Sequence, residues 1–572
     1  MSKATRRAER VRRFALVAAL LLSGTACKDF LQVDNLMMPD RERATSNPED
    51  LEALIGGIFY PTFYNAWNEG THATNLWPPA ASEQTATLNS TGDFQFAFEL
   101  QEPRRAHDNT TDISAGAGPH GPRNFWSGVG NAATQAYNGL IALNEGAVIM
   151  DGDVDVTDRA WAYALFMRGW TWGYGGLVFD RFHILPETTP LPADPAALRD
   201  LTLSSLRPYP EVIEAAVASL EEAIEVAQQN PSVVRFPTLS ESPLWFGTAT
   251  PVSNTQFIQM ANTLAARLLV LSARTPAERA QLDWARVRRF TQNGLTEDFE
   301  VQRTAQRTSL YLLRIQNNDP SYTSNQRLDY RMIGLADQSG AYQNWINSPI
   351  QDRTRFDIVT PDRRITGPQG PTSGGAYTRY RVDNNGFALD RGAYLFSAYQ
   401  WARHAKRNNL EGDGLVDTGA QSGVHPHITV DENNLLAAEA EYYLGNRAAA
   451  AELVNITRQR SHTIDGVEYP GLPPVTAAGV PMVDGQCVPR TDFTGECGDL
   501  LTAIRYERML ELTGLDPIRG YADSRGFGIL ADGSLLQWPV PGNVLELYDV
   551  EYYTYGGVGT EFGAAFAPVT GP

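Results

Sequence analysis

The sequence predicts a mainly α fold in which helical hairpins pack against an irregular, loop-rich half with few short strands. Segments with helical periodicity dominate the better-patterned parts of the 572-residue chain. By contrast, residues 71–122 and 294–428 are rich in Gly, Pro, Asn and Thr. No long Pro/Ser linker or like-charge run divides the chain. We therefore expect one unit, or two closely packed halves, with helical repeats roughly at 123–293 and 430–515 and a loop-rich ligand half roughly at 66–122 and 294–428.

Residues 1–26 have the features of an export signal. Five arginines precede nine apolar residues, Phe14 to Leu22, which end in small residues. A membrane span needs about 20 apolar residues, so this stretch is too short to be one. The letters "LSGTAC" that follow resemble the lipobox of bacterial lipoproteins, in which the cysteine, here Cys27, is acylated and becomes the mature N terminus. A soluble secreted protein with a cysteine near its cleavage site is the alternative.

The expected mature chain, residues 27–572, is strongly acidic. The leader holds six basic residues and one glutamate, so its removal takes the net charge from -19 to -24. Such a protein is not expected to bind nucleic acid. One acyl chain holds a protein to a membrane only marginally, whereas the several chains of a lipoprotein hold it stably. We expect the membrane to be contacted through this lipid anchor only.

The clearest helical hairpin lies in "ENNLLAAEAEYYLGNRAAAAELVNITRQR". Apolar residues recur at i, i+4 and i+7 on both sides of its central break. Gly445 suits the left-handed position past a helix end, and Asn446 suits the next N-cap. The small-residue packing and the length, near the roughly 34 residues of a tetratricopeptide repeat, resemble that repeat.

Other segments show the same helical periodicity and, paired in order, would make three or four such hairpins; an ordinary helical domain also fits them. They are "FWSGVGNAATQAYNGLIALNEGAVI", "DRAWAYALFMRGWTWGYGGLVF", "PEVIEAAVASLEEAIEVAQQ", "NTQFIQMANTLAARLLVLSA", "AERAQLDWARVRRFTQ" and "LLTAIRYERMLELTG".

The two cysteines besides Cys27 are Cys487 and Cys497, ten residues apart. A zinc site would need further Cys or His at ligand spacing, and none is close by. In an oxidising compartment the two are expected to form a local disulfide.

No sequence motif for a metal or for catalysis holds up. In "DGDVDVTDRAWA", Asp151, Asp153 and Asp155 occupy calcium-loop positions, but Val156 and Ala162 stand where an EF-hand needs Gly and Glu. We interpret the segment as an acidic turn before a helix, with a weak calcium site as the alternative.

The same holds for the other patterns that we tested. The histidines of "HPH", His425 and His427, are interpreted as loop residues. "GAGPHG" lacks the preceding strand of a dinucleotide site. A carboxylate pair for glycoside hydrolysis has no fixed spacing and stays open.

Six segments, in order along the chain, resemble the SusD/RagB family of outer-membrane nutrient-uptake lipoproteins. They are "CKDFLQVDN" with "NPEDLEALIGGIFYPTFYNAW", "FWSGVGNAATQAYNGLIALNEG", "AYALFMRGWTWGYGGLVFDRFHILPE", "AEAEYYLGNRAAAAELVNITRQR", "AIRYERMLELTG" and "WPVPGNVLEL". One departure is visible, because "PIRGYADSRGF" spaces Arg519, Asp523 and Arg525 differently from the family pattern.

The resemblance implies four tetratricopeptide-like hairpins beside an irregular half that carries the ligand surface. It also implies an outer-membrane, cell-surface location and a partner, a SusC-like TonB-dependent transporter over which the lipoprotein closes. It implies no catalysis and no cofactor. We therefore expect a protein that captures a nutrient, with an oligosaccharide as the main hypothesis and an oligopeptide as an alternative within the family. A surface glycoside hydrolase and a protein-binding repeat scaffold are the rivals from other classes.

Aromatic residues in the loops are the candidates for sugar stacking, since sugar C–H faces lie flat on indole and phenol rings. Asn side chains close to them would bind the hydroxyl groups. For each aromatic the competing interpretation is packing of its loop onto the helices. The candidate residues are Trp67, Asn68, Asn75, Trp77, Tyr342, Asn344 and Trp345.

The lipid anchor gives the first testable prediction. Because stable anchoring needs the acylated cysteine, Cys27→Ala leaves an uncleaved or soluble precursor. Cell fractionation measures this, with the unchanged chain as control. A variant that stays in the outer membrane and resists carbonate extraction as the parent does contradicts the lipoprotein interpretation.

Overall fold

The computed structural model describes residues 47–60, 106, 109, 121–303, 327–381, 397–403, 423–516 and 518–557. The predicted leader and Cys27 lie outside these ranges. Fifteen α-helices occur in the described part: α1 Pro48–Gly56, α2 Gly121–Asn144, α3 Thr157–Val178, α4 Pro195–Ser205, α5 Tyr209–Gln229, α6 Asn254–Leu271, α7 Pro276–Ala280, α8 Trp284–Gln292, α9 Tyr330–Ile333, α10 Ala341–Asn347, α11 Val430–Tyr443, α12 Arg447–Arg458, α13 Leu500–Glu511, α14 Arg519–Gly526 and α15 Gly542–Leu547.

The strands are short and form two-stranded antiparallel sheets. They are β1 Met150–Asp151, β2 Val154–Asp155, β3 Arg181–His183, β4 Leu206–Pro208, β5 Phe299–Arg303, β6 Thr378–Tyr380, β7 Tyr399–Trp401, β8 Gly423–Ile428, β9 His462–Ile464 and β10 Val467–Tyr469. The pairs are β1 with β2, β3 with β4, β5 with β8, β6 with β7 and β9 with β10. The predicted mainly α fold with few short strands is confirmed.

Helices α2, α3, α5, α6, α8, α11 and α12 form a stack in which each packs against the next. Helix α13 packs on the hairpin of α11 and α12. Among the described residues, no helix is long and apolar enough to span a bilayer.

Small residues let helix α3 approach its neighbours closely. A Cβ atom on Gly169 would come within 2.8 Å of the Ala216 carbonyl oxygen of helix α5. One on Gly173 would come within 2.4 Å of the Leu268 side chain of helix α6. Real Cβ atoms do not approach other atoms this closely, so the glycines of "RGWTWGYGG" set the distance between helices of the stack.

The hairpin of α11 and α12 forms as its sequence predicts. Thr429 caps α11 by accepting a hydrogen bond from the Glu432 backbone N–H at 3.2 Å. Gly445 has a φ of +85°, the left-handed conformation that ends a helix without a Cβ penalty. Asn446 is the N-cap residue of α12, but its side chain donates to Glu441 at 2.6 Å instead of capping the helix.

A second core joins residues 327–381 and 397–403 to the helices. Tyr330 stacks on Phe356 with ring centroids 4.2 Å apart. Tyr506 and Leu510 of helix α13 are buried in the same cluster. The loop-rich part therefore packs on α13 through side chains of its own.

The histidines of "HPH" are core residues of strand β8, which corrects the prediction that they lie in a loop. The His427 ring lies 5.7 Å from that of Phe59, 5.3 Å from that of Trp170 and 6.3 Å from that of Phe299. Burial and, secondarily, the nearby positive charge of Arg267 lower the pKa of His427 to about 3. The ring is thus neutral at ordinary pH.

This burial predicts that the free energy of unfolding falls as the pH is lowered. An unfolded histidine binds a proton with a pKa of about 6.5, whereas folded His427 stays neutral down to a pKa of about 3. Between these values the unfolded state binds more protons, so stability rises with pH.

The variant His427→Phe keeps a ring among aromatic neighbours and removes the titration. When the pH goes from 7 to 5, its free energy of unfolding should fall by about 2 kcal/mol less than that of the parent. Denaturant unfolding of both proteins at the two pH values measures the difference. Equal losses in the two proteins would show that His427 does not contribute.

Candidate functional site

The predicted stacking residues that the structure describes lie on helix α10. Tyr342 and Trp345 are 0% and 3% exposed, and both belong to the second core. The prediction that they offer their rings to a ligand is therefore corrected. Asn344, between them in sequence, is exposed. Trp67, Asn68, Asn75 and Trp77 lie outside the described residues.

The contacts of the two rings explain their burial. Tyr342 donates a hydrogen bond to Asp492 Oδ1 at 3.2 Å. The Trp345 ring lies 5.2 Å from that of Tyr330 and 4.6 Å from the Arg353 guanidinium carbon. Residues 342 and 345 are three apart, so a short helix turns both toward the core and leaves Asn344 outside.

We expect Trp345→Ala to reduce stability, because it opens a cavity in the second core. The free energy of unfolding should fall by about 3 to 5 kcal/mol, measured by denaturant unfolding. Asn344→Ala, an exposed neighbour on the same helix, should change it by no more than about 0.5 kcal/mol. A fully stable Trp345→Ala protein would restore the ring as a candidate for ligand contact.

Cys487 and Cys497 form a disulfide in the structure, as the sequence predicts. The bond closes the segment that runs over Gln338 and Leu335 at the edge of the second core. Cys487 N–H donates to Gln338 Oε1 at 2.9 Å, and Arg490 N–H donates to the Leu335 carbonyl oxygen at 2.7 Å. The disulfide therefore holds this segment against the loop-rich part.

In the acidic turn at Asp151, Asp153 and Asp155, two of the carboxylates already have partners within the protein. Asp151 lies 3.4 Å from the Arg159 guanidinium. Asp155 accepts the Thr157 backbone N–H at 2.9 Å at the start of helix α3. In the described ranges no group of three or more His, Cys, Asp or Glu residues could hold a metal ion. The turn thus favours the interpretation as a helix start over the calcium site.

The departure from the family pattern at residues 519–525 lies in the protein interior. Asp523 accepts hydrogen bonds from Arg508 at 2.8 Å and from Arg279 at 3.0 Å. Arg525 donates to the Leu271 carbonyl oxygen at 2.9 Å. Asp523 and Arg525 therefore join helix α14 to the helical stack.

A cleft of about 500 Å³, which we call the polar cleft, opens where helices α11 and α12 meet the loop-rich part. Its lining residues are Asp298, Ala376, Tyr377, Arg403, Val430, Asp431, Asn434, Ile456, Arg460, His462, Thr463 and Ile464. They come from five separate stretches of the chain, so the fold brings together residues that the sequence keeps apart.

Charged groups in the polar cleft pair with each other. Arg460 donates two hydrogen bonds to Asp431, at 2.6 and 2.7 Å. Arg403 lies 2.7 Å from the buried carboxylate of Glu511 and 3.6 Å from Asp431. Burial alone would raise the pKa of Asp431, but the hydrogen bonds and charges of the two arginines lower it.

Tyr377 and His462 form a neutral wall of the polar cleft. The Tyr377 hydroxyl donates to Glu511 at 3.0 Å, so it accepts from His462 Nε2, 3.1 Å away. Burial lowers the pKa of His462 to about 4, although the Glu511 charge opposes the shift. Both rings are thus uncharged at neutral pH.

Asn434, like Thr463, differs from the charged residues of the polar cleft. Its side-chain amide has no hydrogen-bond partner among the described residues, although it lines the cleft. The amide offers both a donor and an acceptor. Within the described wall, Asn434 is thus the group best placed to bind a ligand hydroxyl.

Sequence reasoning did not find this site. Asp431 and Asn434 stand in the polar side of a well-patterned helix, where charged and amide residues are ordinary. Arg460 and His462 follow the next helix, and Tyr377 and Arg403 lie in loop-rich sequence. The polar run that follows the predicted hairpin, which contains Arg460 and His462, is the one sequence signal for this site.

No protein-family model and no curated relative matches the chain. Solved structures do match it across most of its length. One is a SusD-like carbohydrate-binding protein from Bacteroides fragilis, 12% identical, with 84% of this chain and 86% of that chain covered at a TM-score of 0.49. A second is B. fragilis NanU, which is 13% identical, with 90% of this chain and 96% of that chain covered at a TM-score of 0.48. A third is a SusD-like carbohydrate-binding protein from Bacteroides vulgatus, which is 14% identical, with 82% of this chain and 81% of that chain covered at a TM-score of 0.46.

Proposed function

We propose that this protein is a SusD-like lipoprotein of the cell surface that captures an oligosaccharide and delivers it to a TonB-dependent transporter. The export signal with its lipobox, and the six ordered segments that resemble the family, support the location and the partner. The polar cleft supports the ligand class. The observation that carries this choice is the Asn434 amide, which has no partner in the described part of the chain and lies beside internally paired charges.

The chemistry of the polar cleft suits a neutral polyhydroxylated ligand. Arg460, Arg403 and Asp431 satisfy each other's charges, but their remaining N–H groups and lone pairs can still bind hydroxyl groups. Asn434 adds an amide, and the exposed side chain of Ile456 adds apolar surface for a sugar C–H face. The cleft volume of about 500 Å³ is within the usual range for small-ligand sites.

The same groups do not favour hydrolysis in this cleft. A glycosidase acid has a raised pKa, and a second carboxylate faces it across the scissile bond. The pKa of Asp431 is lowered instead. Asp298, the other carboxylate of the lining, accepts the Val430 backbone N–H at 2.8 Å and so helps to hold the start of helix α11.

Two variants separate the polar cleft from the site on helix α10 that the sequence indicated. On the oligosaccharide that binds best in a screen of neutral and acidic glycans, Asn434→Leu should weaken affinity roughly tenfold, since a ligand hydroxyl buried without its partner costs about 1 to 3 kcal/mol. Asn344→Leu makes the same exchange at an exposed asparagine outside the cleft and should leave affinity unchanged. Calorimetry measures both, with melting temperatures as folding controls.

The opposite pattern, a loss of affinity in the Asn344→Leu protein alone, would place the site on helix α10 and contradict the proposal that the polar cleft binds the glycan. Tight binding of peptides with no glycan binding would favour the oligopeptide alternative. New reducing ends on incubation with glycans would favour the hydrolase. Copurification of a TonB-dependent transporter from solubilised outer membranes tests the delivery step. If the protein is tethered and binds a glycan but no transporter copurifies with it, only the delivery step is contradicted.

A further inference from the structure

A second cavity, which we call the apolar groove, lies among helices α2, α4 and α15 and strand β3. It has a volume of about 480 Å³. The rings of Trp126, Trp172 and Phe182 are buried in its walls. None of the twenty described residues that line it is Asp, Glu, Lys or Arg. No residue of the polar cleft lines it, so the two cavities are separate.

One face of helix α2 forms a wall of the apolar groove. Ser127, Gly130, Asn131 and Thr134 follow the i, i+3, i+4, i+7 spacing of a single helix face, and all four line the cavity. A Cβ atom on Gly130 would meet no atom within 4 Å. The cavity is therefore open directly above this glycine, without backbone or side chain in the way.

Several polar groups of the apolar groove are already hydrogen-bonded. The hydroxyl of Ser205 donates to the Thr202 carbonyl oxygen at 2.7 Å, so it accepts from His183 Nδ1 at 2.8 Å. His183 Nε2 then faces the Tyr548 hydroxyl at 3.4 Å. Burial lowers the pKa of His183 to about 4, which keeps this wall uncharged at neutral pH.

Asn543 has a buried polar atom without such a bond. Its Oδ1 is buried and has no hydrogen-bond partner within the described residues, although the residue lines the cavity. A buried polar atom without a partner costs about 1 to 3 kcal/mol, so a ligand that supplies the partner gains by it. The two ends of an amide can exchange by a flip, and a hydroxyl group can pair with either end because it both donates and accepts.

We propose that the apolar groove binds an uncharged small molecule with an apolar body and a hydroxyl group directed at Asn543. Aromatic and aliphatic walls favour the apolar body, and the volume is that of a small-ligand site. A charged ligand is disfavoured because no side chain of the described lining would neutralise it in an apolar cavity. The exposed side chains of Leu191, Leu198 and Leu547 continue the apolar surface at the rim.

Three related probes test this ligand class on the full chain by equilibrium dialysis at pH 7. We expect 2-naphthol, an uncharged apolar alcohol, to bind saturably at one site. Naphthalene has the same body without the hydroxyl and should bind roughly tenfold more weakly, the cost of about one unmade hydrogen bond. Naphthalene-2-sulfonate carries a charge and should not bind at this site.

Substitutions at Gly130 assign the binding to the apolar groove. Gly130→Leu places a side chain in the open space and should weaken 2-naphthol binding at least tenfold. Gly130→Ala is the matched control, because both changes improve helix propensity but alanine fills little of the cavity. Asn543→Leu should bring 2-naphthol and naphthalene to equal affinity.

Three results would overturn the proposal: no saturable 2-naphthol binding, equal affinity of Gly130→Leu and Gly130→Ala proteins, or sulfonate binding as tight as that of 2-naphthol. If Asn543→Leu lowers the melting temperature sharply, the comparison of Gly130→Leu with Gly130→Ala still shows whether 2-naphthol binds in the apolar groove. Glycan binding in the polar cleft should be the same in all these variants, so failure of either proposal is distinguishable from failure of the other.

Discussion

Buried glutamates of helices α11 and α13 pair with arginines from distant parts of the chain. Those of α11 join it to helices α6 and α7, and those of α13 join it to the loop-rich part. Each helix carries two, spaced seven and four residues apart, so both lie on one face. Removing one partner of a buried ion pair typically lowers the free energy of unfolding by about 3 to 5 kcal/mol, because the remaining charge stays buried. The pairs are Glu432 with Arg267, Glu439 with Arg279, Glu507 with Arg364, and Glu511 with Arg364 and Arg403.

The polar cleft is the exposed end of this arrangement. Glu511, at the C-terminal end of α13, binds Arg364 at 2.9 Å on its buried side and Arg403 at 2.7 Å on its cleft side. Arg403 in turn has its guanidinium carbon 4.4 Å from the centre of the Tyr377 ring. A ligand in the cleft would thus meet side chains already fixed by buried partners, which reduces the entropy lost on binding.

The sequence predicts the helical fold well because its signals there are local. Gly445, Asn446 and the repeated apolar spacing act within a few residues of one another, and the hairpin forms where they place it. His427 was misplaced because "HPH" is a polar, proline-containing stretch, whereas in the structure its ring fills a space among aromatic side chains from three other segments. Only tertiary packing supplies that information.

The candidate site was predicted less well for a related reason. "YQNWINS" has the aromatic and amide composition of a sugar platform, but a seven-residue helix turns Tyr342 and Trp345 inward. The cleft residues come from five stretches spread between Asp298 and Ile464, so neither composition nor spacing connects them. The disulfide was predictable because the alternatives for two cysteines ten residues apart are few.

The charge of the whole chain bears on which ligand can reach the polar cleft. The net charge of -19 on the full chain repels anionic ligands over about a Debye length, close to 8 Å at physiological salt. Arg403 and Arg460 cannot offset this locally, since Asp431 and Glu511 already neutralise them. A ligand of this cleft would therefore be recognised by hydrogen bonds and apolar contact instead of net charge, and those are the interactions that distinguish one neutral sugar from another.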